Sequence, residues 1–279
     1  MTETRIPSRV FERAAIEAKN TKQFEPTPQT ESPAYKLAFQ DMDFLLREDL
    51  RPVRFQLELL KPELMLEEAD IGSMMVFYGS ARIPEPGVKA QNNDPAVAAS
   101  LESKSHYYEE ARKLAALASA SPRDLNGKRH FVVCSGGGPS IMEAANRGAS
   151  DVGAESVGLN IVLPHEQAPN KYVTPSLSFQ FHYFALRKMH FLLRARAVAV
   201  FPGGFGTFDE TFELLTLIQT GKIKPMPVLM FGREFWTRVI DFDALAAEGV
   251  ISAKDIDLIR FVDTADEAWA VVQDFYREG

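Results

Sequence analysis

The chain is 279 residues long, 46% apolar and 25% charged, which is the make-up of a folded globular protein and not of a disordered one. Its 31 Lys and Arg against 38 Asp and Glu leave a net charge of −7, so no general positive field gathers nucleic acid or an anionic membrane. The single cysteine excludes an intrachain disulfide framework and any Cys-based zinc cluster. No apolar run approaches the roughly 18 residues needed to span a bilayer. The opening MTETRIPSRVFERAAIEAKN has scattered charges and no apolar stretch of the kind a secretory signal requires. The expected location is therefore cytoplasmic.

Residues 1–33 are polar and carry Pro7, Pro26, Pro28 and Pro33. Each proline biases its predecessor away from helix, so this stretch reads as a flexible polar N-terminus. Residues 34–72 change character. AYKLAFQDMDFLLREDLRPVRFQLELLKPELMLEEA spaces its leucines and phenylalanines by three and four, which predicts two or three helices as an extension. Pro52 and Pro62 mark helix starts or kinks. From residue 73 to 279 the pattern alternates. SMMVFYGS reads as a buried strand, 79–100 as a long structureless loop, and 103–120 as an amphipathic helix. Strand HFVVCS, helix IMEAANRGASDVG and strand SVGLNIVLP follow. LSFQFHYF is a strand or an extended loop, and ALRKMHFLLRA a helix. Three further strand–helix pairs begin at AVAVF, PVLMF and IRFVD, with one helix expected across REFWTRVIDFDALAAEG. Short apolar strands alternating with helices predict an α/β fold, a Rossmann-like doubly wound parallel sheet flanked by helices, with the helical extension before it. Such sheets bind ligands beyond the carboxyl ends of their strands.

Three strand-to-helix loops are candidates. The first, Gly79-Ser80-Ala81-Arg82, matches neither G-x-G-x-x-G nor G-x-x-x-x-G-K-[ST], so it is a weak signal. The second, Ser135-Gly136-Gly137-Gly138-Pro139-Ser140, removes three side chains where a ligand could touch the backbone. Pro139 is suited to a first helical position, and the helix start offers free N–H groups to an anion. The third, Pro202-Gly203-Gly204-Phe205-Gly206-Thr207-Phe208-Asp209-Glu210, permits an anion-binding nest. Thr207 and Glu210 also stand in capping-box spacing, which offers Glu210 a purely structural role. A phosphate beside Asp209 and Glu210 needs cations, and Arg187 and Lys188 on the preceding helix are the obvious supply. Cys134, at the end of a strand, reads as packed and unreactive. His182 and His190 read as structural, His165 as solvated in a proline-bounded loop, and Met142 and Met189 as core. No histidine pair has metal-ligand spacing, so no metal is expected.

SGGGPSIMEAANRGA, ALRKM and PGGFGTFDE resemble the LOG (Lonely Guy) family, the cytokinin riboside 5′-monophosphate phosphoribohydrolases, whose members are often mislabelled lysine decarboxylases. The resemblance covers about residues 73–275. It implies hydrolysis of the N-glycosidic bond of a purine or cytokinin nucleoside 5′-monophosphate, giving free base and ribose 5-phosphate, as in an AMP nucleosidase, with no cofactor. It places the catalytic pair on Glu210 and Arg187, and phosphate binding on Gly203, Gly204, Gly206 and Thr207. Further substrate contacts fall on Gly136, Gly137, Gly138, Ser80 and Lys188. It also implies a homodimer or a higher homo-oligomer. Related Rossmann-like proteins carry nucleotide or molybdenum cofactor without catalysis, which is the alternative. Ser140 stands where longer bacterial members have a fourth glycine, and 83–100 is an insertion; both bear on which base is taken.

Overall fold

The computed structural model describes residues 11, 13–20, 25–164 and 168–277. His165 and residues 1–10, 12 and 21–24 of the polar N-terminal stretch lie outside the described residues. The chain divides into two compact units, Met1–Leu57 and Glu58–Gly279. Among the described residues the first contains helix α1 (Ala14–Asn20), the short helix α2 (Met42–Leu45) and three single 3-10 turns. Asp41 caps α2 by accepting from the Phe44 N–H at 3.2 Å, and Arg54 donates to the carbonyls of Leu45 and Arg47. The boundary between the units falls within helix α3 (Arg51–Glu68), which has Pro52 as its second residue and continues through Pro62.

The second unit is built on seven parallel strands: β1 (Met74–Tyr78), β2 (Val132–Ser135), β3 (Val157–Ile161), β4 (Ser178–Phe181), β5 (Ala195–Val200), β6 (Val228–Phe231) and β7 (Ile259–Val262). Their order is β4-β3-β2-β1-β5-β6-β7. The helices between them are α4 (Pro95–Glu102), α5 (His106–Ser119), α6 (Ile141–Asp151), α7 (Phe184–Leu193), α8 (Phe205–Gln219), α9 (Arg233–Val239), α10 (Phe242–Ala247) and α11 (Ala265–Arg277). This is the expected Rossmann-like doubly wound sheet. The chain runs outward from β1 to β4, then returns to β5 on the other side of β1, so the direction of winding reverses between β1 and β5. Among the described residues no helix is long and apolar enough to cross a membrane.

Two expectations need correction. The stretch 79–100 is not structureless, because Asp94 accepts from the N–H groups of Ala96 and Val97 and starts α4 with Pro95 in its first turn. The single helix expected over 233–249 is two helices. Ile240 is extended, and Asp241 opens α10 by accepting from the Ala244 N–H at 2.8 Å. In both places a short acidic side chain outcompetes helix propagation by satisfying free N–H groups.

One face of the sheet is closed by α5, α6 and α11 over Met75, Phe77, Val133, Phe201 and Phe231. Phe77, Phe201 and Phe231 form a stacked row, with centroids 6.4 and 4.1 Å apart, at the carboxyl ends of the adjacent strands β1, β5 and β6. Helices α5 and α6 approach very closely at Gly148, where a Cβ would lie 2.0 Å from the Arg112 carbonyl oxygen. Alanine improves helix propensity over glycine by about 1 kcal/mol. Overpacking against fixed backbone costs about 1–3 kcal/mol. The clash wins, so Gly148→Ala should lower the urea midpoint; an unchanged or raised midpoint would show that α5 can yield.

Candidate active site

The loops after β1 and β5 meet at the reversal point. The Phe201 N–H donates to the Tyr78 carbonyl at 2.8 Å and the Ser80 N–H to the Pro202 carbonyl at 3.0 Å. These bonds extend the ladder past the last strand residues and hold the two loops edge to edge. A cavity of about 690 Å³ opens above them. Of the residues singled out in the sequence, Ser80, Gly136, Arg187, Gly204, Gly206, Thr207 and Glu210 line it. Gly137, Gly138, Gly203 and Lys188 do not line it.

The glycines of the third loop divide by function. A Cβ on Gly203 would lie 2.1 Å from the Thr207 Oγ1, so this glycine makes room for Thr207. A Cβ on Gly204 or Gly206 would have nothing within 4 Å, and neither has a positive φ, so the fold does not require glycine at either. Both face the cavity, where a missing side chain exposes the backbone to a ligand. Helix α8 begins at Phe205 with Gly204 as its cap, two residues before the expected start. Thr207 is therefore inside the first turn and caps nothing, and the capping box does not form. The glycines beside it leave the first N–H groups of α8 pointing at open space.

The first-glycine loop is fastened from behind. The Asn170 side-chain amide donates to the carbonyls of Gly137 and Gly138 at 3.1 and 3.0 Å and to Asn146 Oδ1 at 3.0 Å. Ser135 Oγ accepts from the Gly137 N–H and donates to Asn146 Oδ1. Gly137 has φ +74° and a Cβ there would strike Asn160, while one on Gly138 would meet Met142 Cε at 2.8 Å. These two glycines thus serve packing. Pro139 precedes the helix, with Ser140 as the cap of α6 at φ 63°, ψ −125°. A positive φ explains why glycine suits this position. Here the Ser140 hydroxyl compensates by donating to the Ile83 carbonyl, which ties the insertion to the loop.

Glu210 is buried in the cavity wall, and burial raises its carboxyl above the usual range, while Lys188 and Arg187 pull it back down. Lys188 faces this carboxylate. Its Nζ lies 2.9 Å from Asp209, 3.4 Å from Glu210 and 2.7 Å from Glu213. Burial pulls the ammonium pKa down, and the carboxylates of Glu213, Asp209 and Glu210 more than reverse this. Arg187 takes a different path. Its Nε donates to the Leu159 carbonyl at 2.7 Å and its guanidinium lies over the Phe191 ring, 5.1 Å from the centroid. A Gly136 Cβ would come within 2.7 Å of its terminal nitrogen, so Gly136 is the notch in which the arginine sits.

Sequence reasoning missed Tyr78, Met142 and Phe184, and gave no role to Arg82 and Phe205 within their candidate loops; all five line the cavity. Met142 is thus a wall residue where a core one is expected, and Met189 is exposed. The Tyr78 hydroxyl is buried with no hydrogen-bond partner among the described residues, and burial holds it protonated. Cys134 is buried, and burial pushes its thiol up, as suits an unreactive residue. His182 is exposed and His190 is buried on α7, both away from the cavity lining. Among the described residues no cluster of His, Cys, Asp and Glu could hold a metal ion.

Residues 142–272 match the family model described as possible lysine decarboxylase. Among solved structures the chain is similar to the molybdenum cofactor binding protein of Rippkaea orientalis, at 15% identity and TM-score 0.43, over 73% of this chain and 98% of that one. It is also similar to the molybdenum cofactor carrier protein of Chlamydomonas reinhardtii, at 16% identity and TM-score 0.43, over 74% and 99%. A structural-genomics protein, TM1055, gives 20% identity and TM-score 0.46 over 72% and 99%. No curated protein matches the chain. The decarboxylase description does not fit the cavity. A pyridoxal enzyme needs a lysine free to form a Schiff base. Among the described residues no lysine lines this cavity, and Lys188 is held as an ammonium by three carboxylates.

The two kinds of glycine predict opposite outcomes. Gly203→Ala should displace Thr207 and lower the thermal midpoint. Gly204→Ala should leave the midpoint unchanged yet weaken binding of ribose 5-phosphate in calorimetry. Equal stability loss in both variants would remove the assignment of Gly204 to a ligand.

Proposed function

We propose that the chain hydrolyses the N-glycosidic bond of a purine or cytokinin nucleoside 5′-monophosphate. The observation that carries this reading is the buried Glu210 carboxylate in the cavity wall, one turn into a helix whose N-terminus faces the same space, with Lys188 against it. A phosphate at that N-terminus is anchored by the N–H groups around Gly204, Gly206 and Thr207. Anchoring fixes the ribose and leaves its anomeric carbon to be presented to Glu210. As the base leaves, it takes the C1′–N electron pair and the sugar gains oxocarbenium character. A carboxylate stabilises that charge and orients a water, whose oxygen bonds to C1′ while a proton goes to the base. Arg187 holds substrate oxygens and adds its charge to that of Lys188 in keeping Glu210 ionised. A carrier of nucleotide or molybdenum cofactor would need the anion site but not a carboxylate kept ionised in its wall.

Base release is checked by chromatography after incubation with AMP, GMP, CMP, UMP and isopentenyladenosine monophosphate, with the matching nucleosides as controls. Release from a monophosphate is expected; none from any would favour the carrier. Glu210→Gln keeps the shape and removes the charge. Loss of general-base and electrostatic assistance should lower kcat by about 10²–10⁴-fold, and Arg187→Ala should also be severely impaired. Near-normal turnover in Glu210→Gln would defeat the assignment.

The pH dependence has a definite sign. The active form of Glu210 is the anion, lost as pH falls through its pKa. Lys188 is the strongest influence holding that pKa down. Lys188→Met should therefore move the acid limb of kcat/KM to higher pH, with Lys188→Arg restoring it. An unmoved limb would show that Lys188 does not govern the carboxylate.

A further inference from the structure

The site described so far has an electrostatic gap. A nucleotide phosphate is close to a dianion, and Asp209 and Glu210 already border the cavity. Of the two cations expected to offset this, Lys188 is consumed by Asp209, Glu210 and Glu213 and does not line the cavity. Arg187 is tied to Leu159 on β3 and notched against Gly136 after β2. The glycine nest follows β5. In the order β3-β2-β1-β5, the carbonyl that anchors Arg187 is three strand positions from β5, about 14 Å at the usual inter-strand spacing. Arg187 is therefore placed for the sugar side of a ligand.

One other cation lines the cavity. Arg82 sits in the loop after β1, next to β5 in the sheet. Two residues before it, the Ser80 N–H bonds directly to the Pro202 carbonyl at the entrance of the nest. The Ser80 hydroxyl in turn accepts from the Arg82 N–H at 3.0 Å, which fixes the backbone from which the guanidinium projects. The Arg82 side chain is exposed, and no ion pair or side-chain hydrogen bond engages it among the described residues. Arg187 and Lys188, the other cations described at this site, are both committed. The floor gives an independent sign of a polar ligand, since Tyr78 is 5% exposed and lines the same cavity, and its hydroxyl lacks a partner. Such a group costs free energy until something satisfies it.

We infer that Arg82 is the phosphate-recognising arginine of this site, pairing with the 5′-phosphate seated on the N-terminus of α8 and so determining preference for a phosphorylated substrate. This rests on the proposed nucleotide reading. A guanidinium presents two parallel donors to phosphate oxygens, and the helix N–H groups hold the others. Arg82 thereby supplies the positive charge that allows a dianion to sit beside Asp209 and Glu210.

The test uses Arg82→Gln and Arg82→Lys in the full chain. Because the side chain has no partner to lose, both variants should keep the wild-type thermal midpoint. With Arg82→Gln, KM for the monophosphate should rise by about 10- to 100-fold, the range for losing a hydrogen bond to a charged group, with a much smaller change in kcat. Inhibition by ribose 5-phosphate should weaken by a similar factor, whereas inhibition by the free base should not. Arg82→Lys should recover part of the loss. A KM and a ribose 5-phosphate inhibition constant both within twofold of wild type would overturn the assignment. Should the wild type release no base, the nucleotide-hydrolase reading fails separately, and calorimetry with ribose 5-phosphate still decides. Weaker binding to Arg82→Gln than to wild type supports Arg82 as the anion ligand; equal binding, or none to either, overturns it.

Discussion

A carboxylate carried into the wall of a cavity stays ionised only if a cation is placed against it. Burial alone raises Glu210, and the surrounding structure answers with Lys188 at 3.4 Å and the charge of Arg187. That answer sets demands on the rest of the unit. Lys188 and Arg187 are neighbours on α7, about 100° apart around its axis. They leave the helix on divergent paths, one behind Glu210 and one over Phe191 toward β3. α7 must therefore lie where it can serve both, and the return of the chain from β4 to β5 puts it there. Asp209 and Glu213 share the lysine, so the ammonium is more strongly held than one carboxylate could make it.

The glycines show how differently one residue type can be used in neighbouring positions. Gly203 and Gly204 are adjacent, yet one is dictated by Thr207 and the other by nothing in the protein. Gly137 and Gly138 look like ligand contacts in the sequence and turn out to be packing positions, held by Asn170 and crowded by Asn160 and Met142. Gly136 alone of that triplet lines the cavity, and its contribution is to seat an arginine. A glycine that the fold does not need is a stronger pointer to a ligand than a glycine run.

Much of the architecture is legible in the sequence because hydrophobic periodicity reports burial on a sheet covered on both faces. Six of the seven described strands are readable as short apolar runs, while β4, in LSFQFHYF, reads equally as an extended loop, and the loops at their carboxyl ends follow from parallel winding. What escapes is local or rotational. Asp94-Pro95 and Asp241 are ordinary cap signals that a reading by composition passes over, so α4 goes unseen and α9 and α10 merge. Thr207-x-x-Glu210 fits a capping box by spacing, but the helix starts two residues earlier and the box has no helix end to cap. Lys188 cannot be placed from sequence because rotation about a helix depends on the elements packed against it. Arg82 carries no signal of its own because its loop matches no fingerprint; its meaning comes only from the β1–β5 adjacency.

That adjacency has a chemical consequence. Polar reaction chemistry at a reversal point draws groups from strands far apart in sequence, so charges can be separated along the sheet as well as by depth. Here the carboxylate and its lysine sit on α8 and α7, one arginine reaches back to β3, and another projects from the loop after β1 beside β5. A ligand with an anionic end and a neutral ring that becomes cationic fits such a distribution lengthwise. On the proposed reading its anionic end sits at the start of α8, away from the Glu210 oxygens, and its ring over Glu210. Reversing the ligand would set its phosphate on the carboxylate and its ring on the open N–H groups of the helix. On the proposed reading the unfavourable electrostatics of that second pose, more than any single contact, would give the cavity its sense of direction.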